Sequence, residues 1–294
     1  MLSVLIPTYN YNVSALVDVL HKQLSLQTTP FEILIFEDGS TQNLNTIDLS
    51  NTFVITNPTN IGRVRARNEL ANKAKYSWLL FLDADVMPKN ESFITNYLKT
   101  TNTNYKAIYG GFAYKKQAPN HNKTLRWTYG KTKEEKPAKL RNKKAYKIII
   151  SANYLIKKET FKLINSKINE AKGYGFDYYF GAFLKTNNIN VLHIDNEVYH
   201  LGLDENEVYL NKVEQAVNTL LRFYKKNKAL DTDNDLLKLF VTLNKYKLVR
   251  IFSKIHAVFK EKMKANLLSN KPSIKLLQFY RISYMCYQYV NEKA

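Results

Sequence analysis

The sequence predicts an α/β fold in which a mostly parallel sheet is flanked by helices, with a helical extension at the C-terminal end. Three observations support this fold class. Over the first hundred residues, short apolar runs alternate with segments of helical spacing, as expected for parallel strands joined by crossover helices. The apolar run 78–82 leads directly into two acids, Asp83 and Asp85. After residue 205 the hydrophobic spacing is helical.

The individual elements follow from the periodicity of the apolar residues. Short continuous apolar runs bounded by turn-forming residues are typical of strands that are buried on both faces. Helical spacing predicts one helix over 13–26, a second that carries Arg65–Ala71, and a third that carries Phe180–Leu184. Strands are predicted at 2–7, 31–36, 53–56, 78–82, 109–112 and 191–195.

Polar residues follow three of these strands, as Thr8-Tyr9-Asn10, Asp38-Gly39-Ser40 and Asp83-Ala84-Asp85. In parallel α/β sheets, ligands bind beyond the carboxyl ends of the strands, so these residues are expected to share one site. Asp83 and Asp85 point the same way along an extended chain and would suit a hard divalent cation such as Mn²⁺ or Mg²⁺. This stretch alone equally allows a solvated loop with two acids.

Composition limits the class of protein. The chain has 294 residues and 45% hydrophobic residues, enough for one large globular domain or two small ones. The single cysteine, Cys286, excludes an internal disulfide and fits a reducing compartment. The first residues lack a signal-peptide pattern, and no apolar run reaches membrane-spanning length. We therefore expect a cytoplasmic protein that at most attaches peripherally to the inner face of the cell membrane.

The net charge of +19 is concentrated in two segments. Residues 115–147 hold 12 basic and 2 acidic residues, and residues 205–294 hold 17 and 8, while the remainder is neutral overall. A negatively charged partner is expected at these segments. Charge alone leaves nucleic acid, anionic lipid and an acidic polymer open.

Four motifs together resemble family 2 glycosyltransferases of the GT-A fold, in particular those of bacterial surface-polysaccharide synthesis. They are Val4–Asn10, Glu37–Ser40, Asn60-x-Gly62 with Ala66-Arg67-Asn68, and Asp83-Ala84-Asp85, in the order and near the spacing of that family. The similarity is close over residues 1–100 and returns at 148–204.

The resemblance implies a division of the chain into domains. A GT-A domain would span 1–204, with a nucleotide-sugar half at 1–100 and an acceptor half at 101–204. The acceptor half would contain the basic insertion 115–147. Residues 205–294 would form the basic helical extension.

The resemblance also implies which residues bind the nucleotide-sugar donor. Asp38 would accept a hydrogen bond from the base, although an Asp-Gly pair is also a common turn. Arg63 and Arg67 share a helix face and could approach the diphosphate, although a solvated basic face is the alternative. Asp83 would lie near the ribose and the metal. The full donor-binding set would be Pro7, Thr8, Tyr9, Asn10, Asp38, Asn60, Gly62, Arg63, Arg67, Asp83 and Ala84.

The metal ligands implied by the resemblance are Asp85 and His200. Asp85 would bind Mn²⁺ or Mg²⁺ directly, and the cation would neutralise charge on the departing nucleoside diphosphate. A neutral imidazole suits Mn²⁺, so His200 is expected to complete the protein ligands. His193 is expected to pack within or beside its strand instead.

The catalytic base is where this sequence departs from its relatives. They carry Gly-Tyr-Gly-x-Glu-Asp, whose second acid is the base, whereas this chain has Gly173-Tyr174-Gly175-Phe176-Asp177 with a single acid. An alignment with one residue deleted keeps the spacing of the following helix and strand and assigns the base to Asp177. The departure puts the identity of the base in question.

On the acceptor side, the resemblance implies that Asn153 faces the acceptor. Trp127, an aromatic residue in the basic segment, could form a lid or an acceptor platform. Residue types alone favour a mobile surface insertion for 115–147.

In the extension, one apolar helix face is expected to pack on the catalytic domain, with Lys247, Arg250 and Lys254 on another face. Attachment of the basic face to anionic lipid is compatible with this packing. The apolar face comprises Leu248, Ile251, Phe252, Ile255, Val258 and Phe259.

These features together predict a metal-dependent inverting glycosyltransferase. It would move a sugar from a nucleotide-sugar, expected to be a UDP-sugar, to a hydroxyl of a glycan or lipid-linked acceptor in surface polysaccharide synthesis. A nucleotidyltransferase is one alternative, but Pro7-Thr8-Tyr9-Asn10 is not the glycine-rich basic loop expected there. A non-catalytic glycan- or nucleic-acid-binding protein on this fold is the other. No nucleic-acid partner is expected from the main hypothesis.

Overall fold

The computed structural model describes residues 1–42, 47–168, 173–227 and 232–292 of the chain. Its strands form two sheets within these residues. In chain order they are β1 (Leu2–Thr8), β2 (Phe31–Asp38), β3 (Thr52–Asn57), β4 (Trp78–Leu82), β5 (Val86–Pro88), β6 (Ala107–Tyr109), β7 (Phe112–Ala113), β8 (Asn153–Lys157), β9 (Val191–His193) and β10 (Val198–His200).

The larger sheet has the strand order β3-β2-β1-β4-β8-β6-β9 in the described part of the chain. The strands β1 to β4 run parallel, with Leu5 paired to Leu34 on one side and to Phe81 on the other. Strand β8 is antiparallel to both of its neighbours, and β6 and β9 are parallel to each other. The predicted mostly parallel sheet is confirmed, and the carboxyl ends of β1, β2 and β4 share one edge.

Helices cover the sheet and form the C-terminal region. Helix α1 connects β1 to β2 and buries its apolar stripe, and α2 connects β3 to β4. The helices are α1 (Ser14–Ser25), α2 (Arg63–Lys73), α3 (Phe93–Leu98), α4 (Thr124–Tyr129), α5 (Ala138–Asn142), α6 (Lys158–Asn165), α7 (Asp177–Thr186), α8 (Asn206–Lys226), α9 (Asp235–Lys245), α10 (Val249–Leu267) and α11 (Ile274–Asn291).

The strand predicted at 109–112 is divided between the two sheets. Strand β6 ends at Tyr109 in the large sheet, and β7 begins at Phe112 in the small sheet, which has the order β5-β10-β7. Gly111 adopts φ +89° between them, a conformation that favours glycine. A Cβ at Gly110 would lie 2.3 Å from the Asn196 carbonyl oxygen, so the bend requires glycine at this position as well.

The basic insertion 115–147 is not the surface loop that its residue types favour. It folds into short helices, including α4 and α5, that pack on the sheet. Arg141 is 2% exposed and donates hydrogen bonds to the carbonyl oxygens of Tyr109 and Ile194. Arg126 is also buried and pairs with Glu134 at 2.9 Å. Two of the basic residues therefore hold the insertion in place rather than facing solvent.

The C-terminal helices pack on the region of the large sheet, as expected. Side chains of α8 and α11, such as Leu220 and Met285, share one hydrophobic core with Leu5 of β1. No described helix combines the length and apolarity needed to cross a bilayer.

The prediction of which α10 face packs is only partly right. Phe252 packs against the core and contacts the ring of Phe279. The buried residues are Val249, Ser253, His256, Met263 and Leu267. Ile251, Val258 and Phe259 of the predicted apolar face point outward and are exposed by 54%, 71% and 45%.

Candidate active site

The two acids that follow β4 lie in different electrostatic environments. Arg67 Nη2 donates to Asp83 Oδ1 at 2.6 Å, and Arg63 Nη2 lies 3.4 Å from Asp83 Oδ2. Burial opposes ionisation of Asp83, but the two guanidinium groups outweigh it and hold the pKa of this carboxyl below its ordinary value. Both predicted diphosphate-binding arginines therefore contact Asp83, and Arg67 itself is buried.

Asp85 has weaker compensation, from Arg63 and Arg126. Burial, and then repulsion from Asp83, raise the pKa of Asp85 to about 6. His200 Nε2 lies 3.5 Å from Asp85 Oδ2. Burial lowers the pKa of His200 to about 3, so its imidazole is neutral at pH 7, which is the form that binds metals. Among the described residues, His200 Nδ1 is buried without a hydrogen-bond partner.

The small sheet brings Asp85 and His200 together. Strand β10 pairs with β5 so that His200 lies opposite Val86, and the amide of Leu201 donates to the Asp85 carbonyl oxygen at 2.8 Å. A Cβ at Gly202 would lie 2.0 Å from Asp85 Oδ2. The backbone at Gly202 therefore lies so close to the Asp85 carboxylate that only glycine fits there.

Asp38 holds the loop before α2 in place. Its Oδ1 accepts from the Ile61 amide at 2.8 Å and its Oδ2 from the Gly62 amide at 2.9 Å. Asn60 Nδ2 donates to the Asp38 carbonyl oxygen at 3.1 Å. Each carboxylate oxygen has a second lone pair, so these bonds leave acceptor capacity for a nucleotide base. Gly62 has φ +88° at the start of α2.

The loop after β1 is tied to the loop after β2. Asn10 Oδ1 accepts from the Thr41 amide at 2.9 Å, and the Asn10 amide donates to Ser40 Oγ at 2.7 Å. Thr8 Oγ1 donates to the Tyr11 carbonyl oxygen. Tyr9 is half exposed and available to a ligand. Two residues of the predicted donor set remain. Pro7 is the penultimate residue of β1, and Ala84 lies between Asp83 and Asp85.

A cavity of about 240 Å³ lies beside these strand ends. Asp177, the first residue of α7, lines it together with Arg63 and Arg67. Its other walls come from the glycine-rich segment before α7, from the insertion and from the extension. They include Tyr129, Lys133, Tyr146, Ile149, Tyr174, Phe176, Tyr178, Tyr209, Val213 and Arg281.

Asp177 is joined to the acids after β4 through Arg67. Burial raises the pKa of Asp177, although Arg67 and a hydrogen bond from the Ser151 side chain oppose the rise. Arg67 Nη2 donates to the Ser151 carbonyl oxygen at 2.7 Å as well as to Asp83. One buried guanidinium thus connects the predicted metal side with the predicted base.

Two residues expected on the acceptor side do not line this cavity. Asn153 is fully buried, accepts from the Tyr97 hydroxyl at 2.7 Å and donates to the Gly111 and Asn196 carbonyl oxygens. Its amide is therefore occupied by the fold. Trp127 donates its indole N–H to the Lys115 carbonyl oxygen at 3.0 Å and holds the insertion. His193 is buried beside Arg141, as expected of a packed residue.

Sequence reasoning missed Arg281 and Tyr129 at the cavity, and Ser151, which contacts Arg67 and Asp177. Arg281 stands between the apolar and aromatic residues Phe279-Tyr280 and Ile282, and this interruption was the available signal. Ser151 lies in a segment where no spacing rule distinguishes it.

Comparison with known proteins identifies the class. The sequence model of the family described as "Glycosyl transferase family 2" matches residues 3–170, more than half of the chain. The chain belongs to this family, and the expected class, a family 2 glycosyltransferase, is confirmed.

The chain is also similar to individual proteins. An uncharacterized glycosyltransferase of Haemophilus influenzae is 40% identical over 89 residues, a stretch that covers 29% of this chain and 29% of that protein. The mannosyltransferase PcManGT from Pyrobaculum calidifontis, solved with GDP-Man and Mn²⁺, has a TM-score of 0.54 at 11% identity, covering 99% of this chain and 86% of its own. S. aureus TarS, solved with UDP-GlcNAc, has a TM-score of 0.49 at 17% identity, covering 99% and 92%. The similarity to the mannosyltransferase confirms the GT-A fold.

Proposed function

We propose that this protein transfers a sugar, with inversion at the anomeric carbon, from a nucleotide-sugar donor to an acceptor hydroxyl. The observation that carries the proposal is that the strand ends with Asp83 and the Asp85–His200 pair are linked to a cavity lined by Asp177. Arg63 and Arg67 make this link, because both contact Asp83 and both line the cavity. A UDP-sugar is the proposed donor, and a GDP- or dTDP-sugar is the alternative that the experiment below distinguishes. Pyrobaculum PcManGT, which shares the fold, was solved with a nucleotide-sugar.

In this mechanism Asp177 accepts the proton of the acceptor hydroxyl. The oxygen attacks the anomeric carbon from the face opposite the diphosphate, and the bond to the diphosphate breaks with its electron pair. Burial raises the pKa of Asp177, which makes its carboxylate a stronger base than a solvated one. Arg63, half exposed beside Asp83, is positioned to contact a diphosphate oxygen.

A divalent cation fits the pair Asp85 and His200. Their donor atoms are 3.5 Å apart, and His200 is neutral at pH 7. No described lysine or arginine lies within 4.0 Å of the Asp85 carboxylate. No cluster of three or more potential ligands exists among the described residues, so the remaining positions would be open to diphosphate oxygens. Mn²⁺ or Mg²⁺ bound there would stabilise the negative charge of the leaving diphosphate.

Donor binding and turnover test this proposal. We expect UDP-sugars with Mn²⁺ to raise the melting temperature more than GDP- or dTDP-sugars do. Asp85→Asn should remove the Mn²⁺-dependent part of this shift, and Asp177→Asn should keep it while abolishing transfer. A protein that binds a donor but neither transfers nor hydrolyses its sugar would be a non-catalytic binding protein. Activity that survives both Asp85→Asn and EDTA would contradict the cation site.

The acceptor is proposed to be a glycan or lipid-linked glycan of a surface polysaccharide, reached at an anionic membrane surface. The outward face of α10 supports the membrane partner. At 100° per residue, Ile251 and Val258 lie within one stripe of α10 with Lys254 and Lys262. Exposed apolar residues interleaved with lysines are typical of helices that lie in the interface of anionic bilayers.

Vesicle binding tests the membrane partner. The intact protein should bind vesicles of phosphatidylcholine with phosphatidylglycerol and should bind pure phosphatidylcholine weakly. The double variant Ile251→Asn, Val258→Asn should weaken binding about tenfold or more, because two buried apolar contacts are lost. Leu26→Asn is the control, since Leu26 is 78% exposed at the end of α1. Equal losses in both proteins, or no binding by the intact protein, would exclude this surface.

A further inference from the structure

Arg281 is a cationic group of the cavity that has no carboxylate partner among the described residues. It lies on α11 and lines the cavity that contains Asp177. Its Nη1 donates to Gln278 Oε1 at 3.0 Å and its Nη2 donates to the Tyr178 hydroxyl at 2.9 Å. The Tyr129 side chain also lies near the guanidinium. None of these three side chains is a carboxylate.

Other arginines of the site and of the buried insertion are treated differently by the fold. Arg63, Arg67, Arg126 and Arg141 have carboxylate oxygens at 3.4, 2.6, 2.9 and 3.8 Å. Within the described part of the chain, no carboxylate lies within 4.0 Å of Arg281. The fold therefore supplies a counter-charge to these four arginines but none at this distance to Arg281.

The surroundings of Arg281 make a missing counter-charge costly. Tyr129, Tyr178 and Tyr209 surround the guanidinium, and Tyr209 is 4% exposed. A charge in such surroundings is destabilising unless an ion of opposite sign offsets it. The guanidinium has five N–H donors, so its bonds to Gln278 and Tyr178 leave donors for a ligand.

The position of Arg281 favours the acceptor as the source of that ion. It binds the side chain of Tyr178, the residue that follows the proposed base Asp177. Donor phosphates, by contrast, would meet Arg63 and the Asp85 pair at the strand ends. Lys133, exposed at the edge of the same cavity, adds a second positive charge on the Arg281 side.

We propose that the acceptor carries a phosphate or carboxylate group, and that Arg281 binds this group beside the hydroxyl that reacts. The inference rests on the proposed function, because it assigns the cavity to the acceptor. A planar guanidinium suits either anion, since two parallel N–H groups can bind two of its oxygens. Neutral glycans of similar size are then poor acceptors.

Phosphate binding tests the subsite without any turnover. At constant ionic strength, replacing chloride by inorganic phosphate should raise the melting temperature of the wild-type protein. Arg281→Met should lose part of this increase, whereas Arg65→Met should keep all of it, because Arg65 is exposed on α2 and does not line the cavity. No increase in the wild-type protein, or the full increase in Arg281→Met, would overturn the proposal.

Folding of the variant is checked by its own stability. Without phosphate, Arg281→Met should melt at the same temperature as the wild-type protein or higher, because it removes an uncompensated charge. Arg126→Met should melt lower, because it leaves Glu134 unpaired. Melting of Arg281→Met below Arg126→Met would show that Arg281 is structural and would contradict the proposal.

Acceptor kinetics identify the source of the anion. The acceptors are a polyprenyl-diphosphate-linked sugar, a phosphorylated glycan, a uronic-acid glycan and a neutral glycan of equal length. Arg281→Met should raise KM about 10- to 100-fold for the anionic acceptor that is used, as expected for a charged hydrogen-bonded pair, with a smaller change in kcat. A neutral acceptor used as well as the anionic ones would overturn the assignment.

Failure of the two proposals can be told apart. If phosphate binding depends on Arg281 but no nucleotide-sugar is bound or turned over, the glycosyl-transfer proposal fails while the anion site remains. If transfer occurs and Arg281→Met changes neither phosphate binding nor KM, the anion site fails while the transfer proposal remains.

Discussion

Arg67 should contribute more to stability than its neighbour Arg63, although both contact Asp83. The Arg67 side chain is 10% exposed and its bond to Asp83 is 2.6 Å, whereas Arg63 is 52% exposed at 3.4 Å. Arg67→Met would leave a buried carboxylate with one distant, solvated partner. Breaking a buried pair in this way costs about 3 kcal/mol, and losing an exposed pair costs less than about 1 kcal/mol.

Urea unfolding followed by circular dichroism measures both free energies. Arg67→Met should lower the free energy of unfolding by about 3 kcal/mol, reduced somewhat because the buried and unpaired Nε of Arg67 is removed with it. Arg63→Met should stay within about 1 kcal/mol of the wild-type protein. Adding Asp83→Asn to Arg67→Met should recover part of the loss, because the uncompensated charge is gone.

The reasoning would be refuted by equal losses in Arg63→Met and Arg67→Met. It would also be refuted if Asp83→Asn added its own cost to Arg67→Met without any coupling between the two changes. Either result would mean that Arg67 does not balance the negative charge of Asp83 in the folded protein.

Three further predictions follow from the same structure. Gly202→Ala should displace the Asp85 carboxylate, because its Cβ would lie 2.0 Å from Oδ2; isothermal titration should show Mn²⁺ affinity lost while the circular dichroism spectrum is unchanged. The kcat/KM of transfer, measured at saturating Mn²⁺, should fall with acid around a pKa above 3.8, because burial raises the pKa of Asp177; a limb at or below 3.8 contradicts this. Burial lowers the pKa of His193 from 6.5 to about 4. The free energy of unfolding should therefore be highest above pH 6.5 and should fall by at most about 3 kcal/mol as the pH is lowered towards 4. His193→Gln should lack this dependence of stability on pH.

The parallel half of the fold could be predicted because its signals are local. The run 78–82 matches β4 residue for residue, and the helix predicted over 13–26 is observed at Ser14–Ser25. Three strands that end in polar residues bring these residues to one edge of a parallel sheet. The candidate metal pair needed more than this, because His200 reaches Asp85 only through the small sheet.

The misassigned features depend on tertiary contacts. Periodicity identified α10 but could not identify its buried face, because that face contains Ser253 and His256, and His256 packs against Ser283 and the rings of α11. In the sequence, Asn153 has the character of a polar site residue. In the fold, its side-chain amide is hydrogen-bonded to the Tyr97 hydroxyl and to two carbonyl groups that are distant in sequence. Composition alone would place the charges of Arg126 and Arg141 on the surface, but both residues are buried in the fold.

The acids Asp83 and Asp85 end with different roles because their charges are balanced by different means. Two arginines neutralise Asp83, so its carboxylate has little to gain from a cation and serves to position α2. Asp85 receives repulsion from Asp83 and a neutral imidazole at 3.5 Å, so a divalent cation is the partner that would most lower its energy. The same comparison applies to the cavity, where Arg281 lacks, among the described residues, the carboxylate partner that Arg63 and Arg67 have. A donor bound with its cation would satisfy Asp85, and an anionic acceptor would satisfy Arg281, so each substrate would supply the charge that its part of the site lacks.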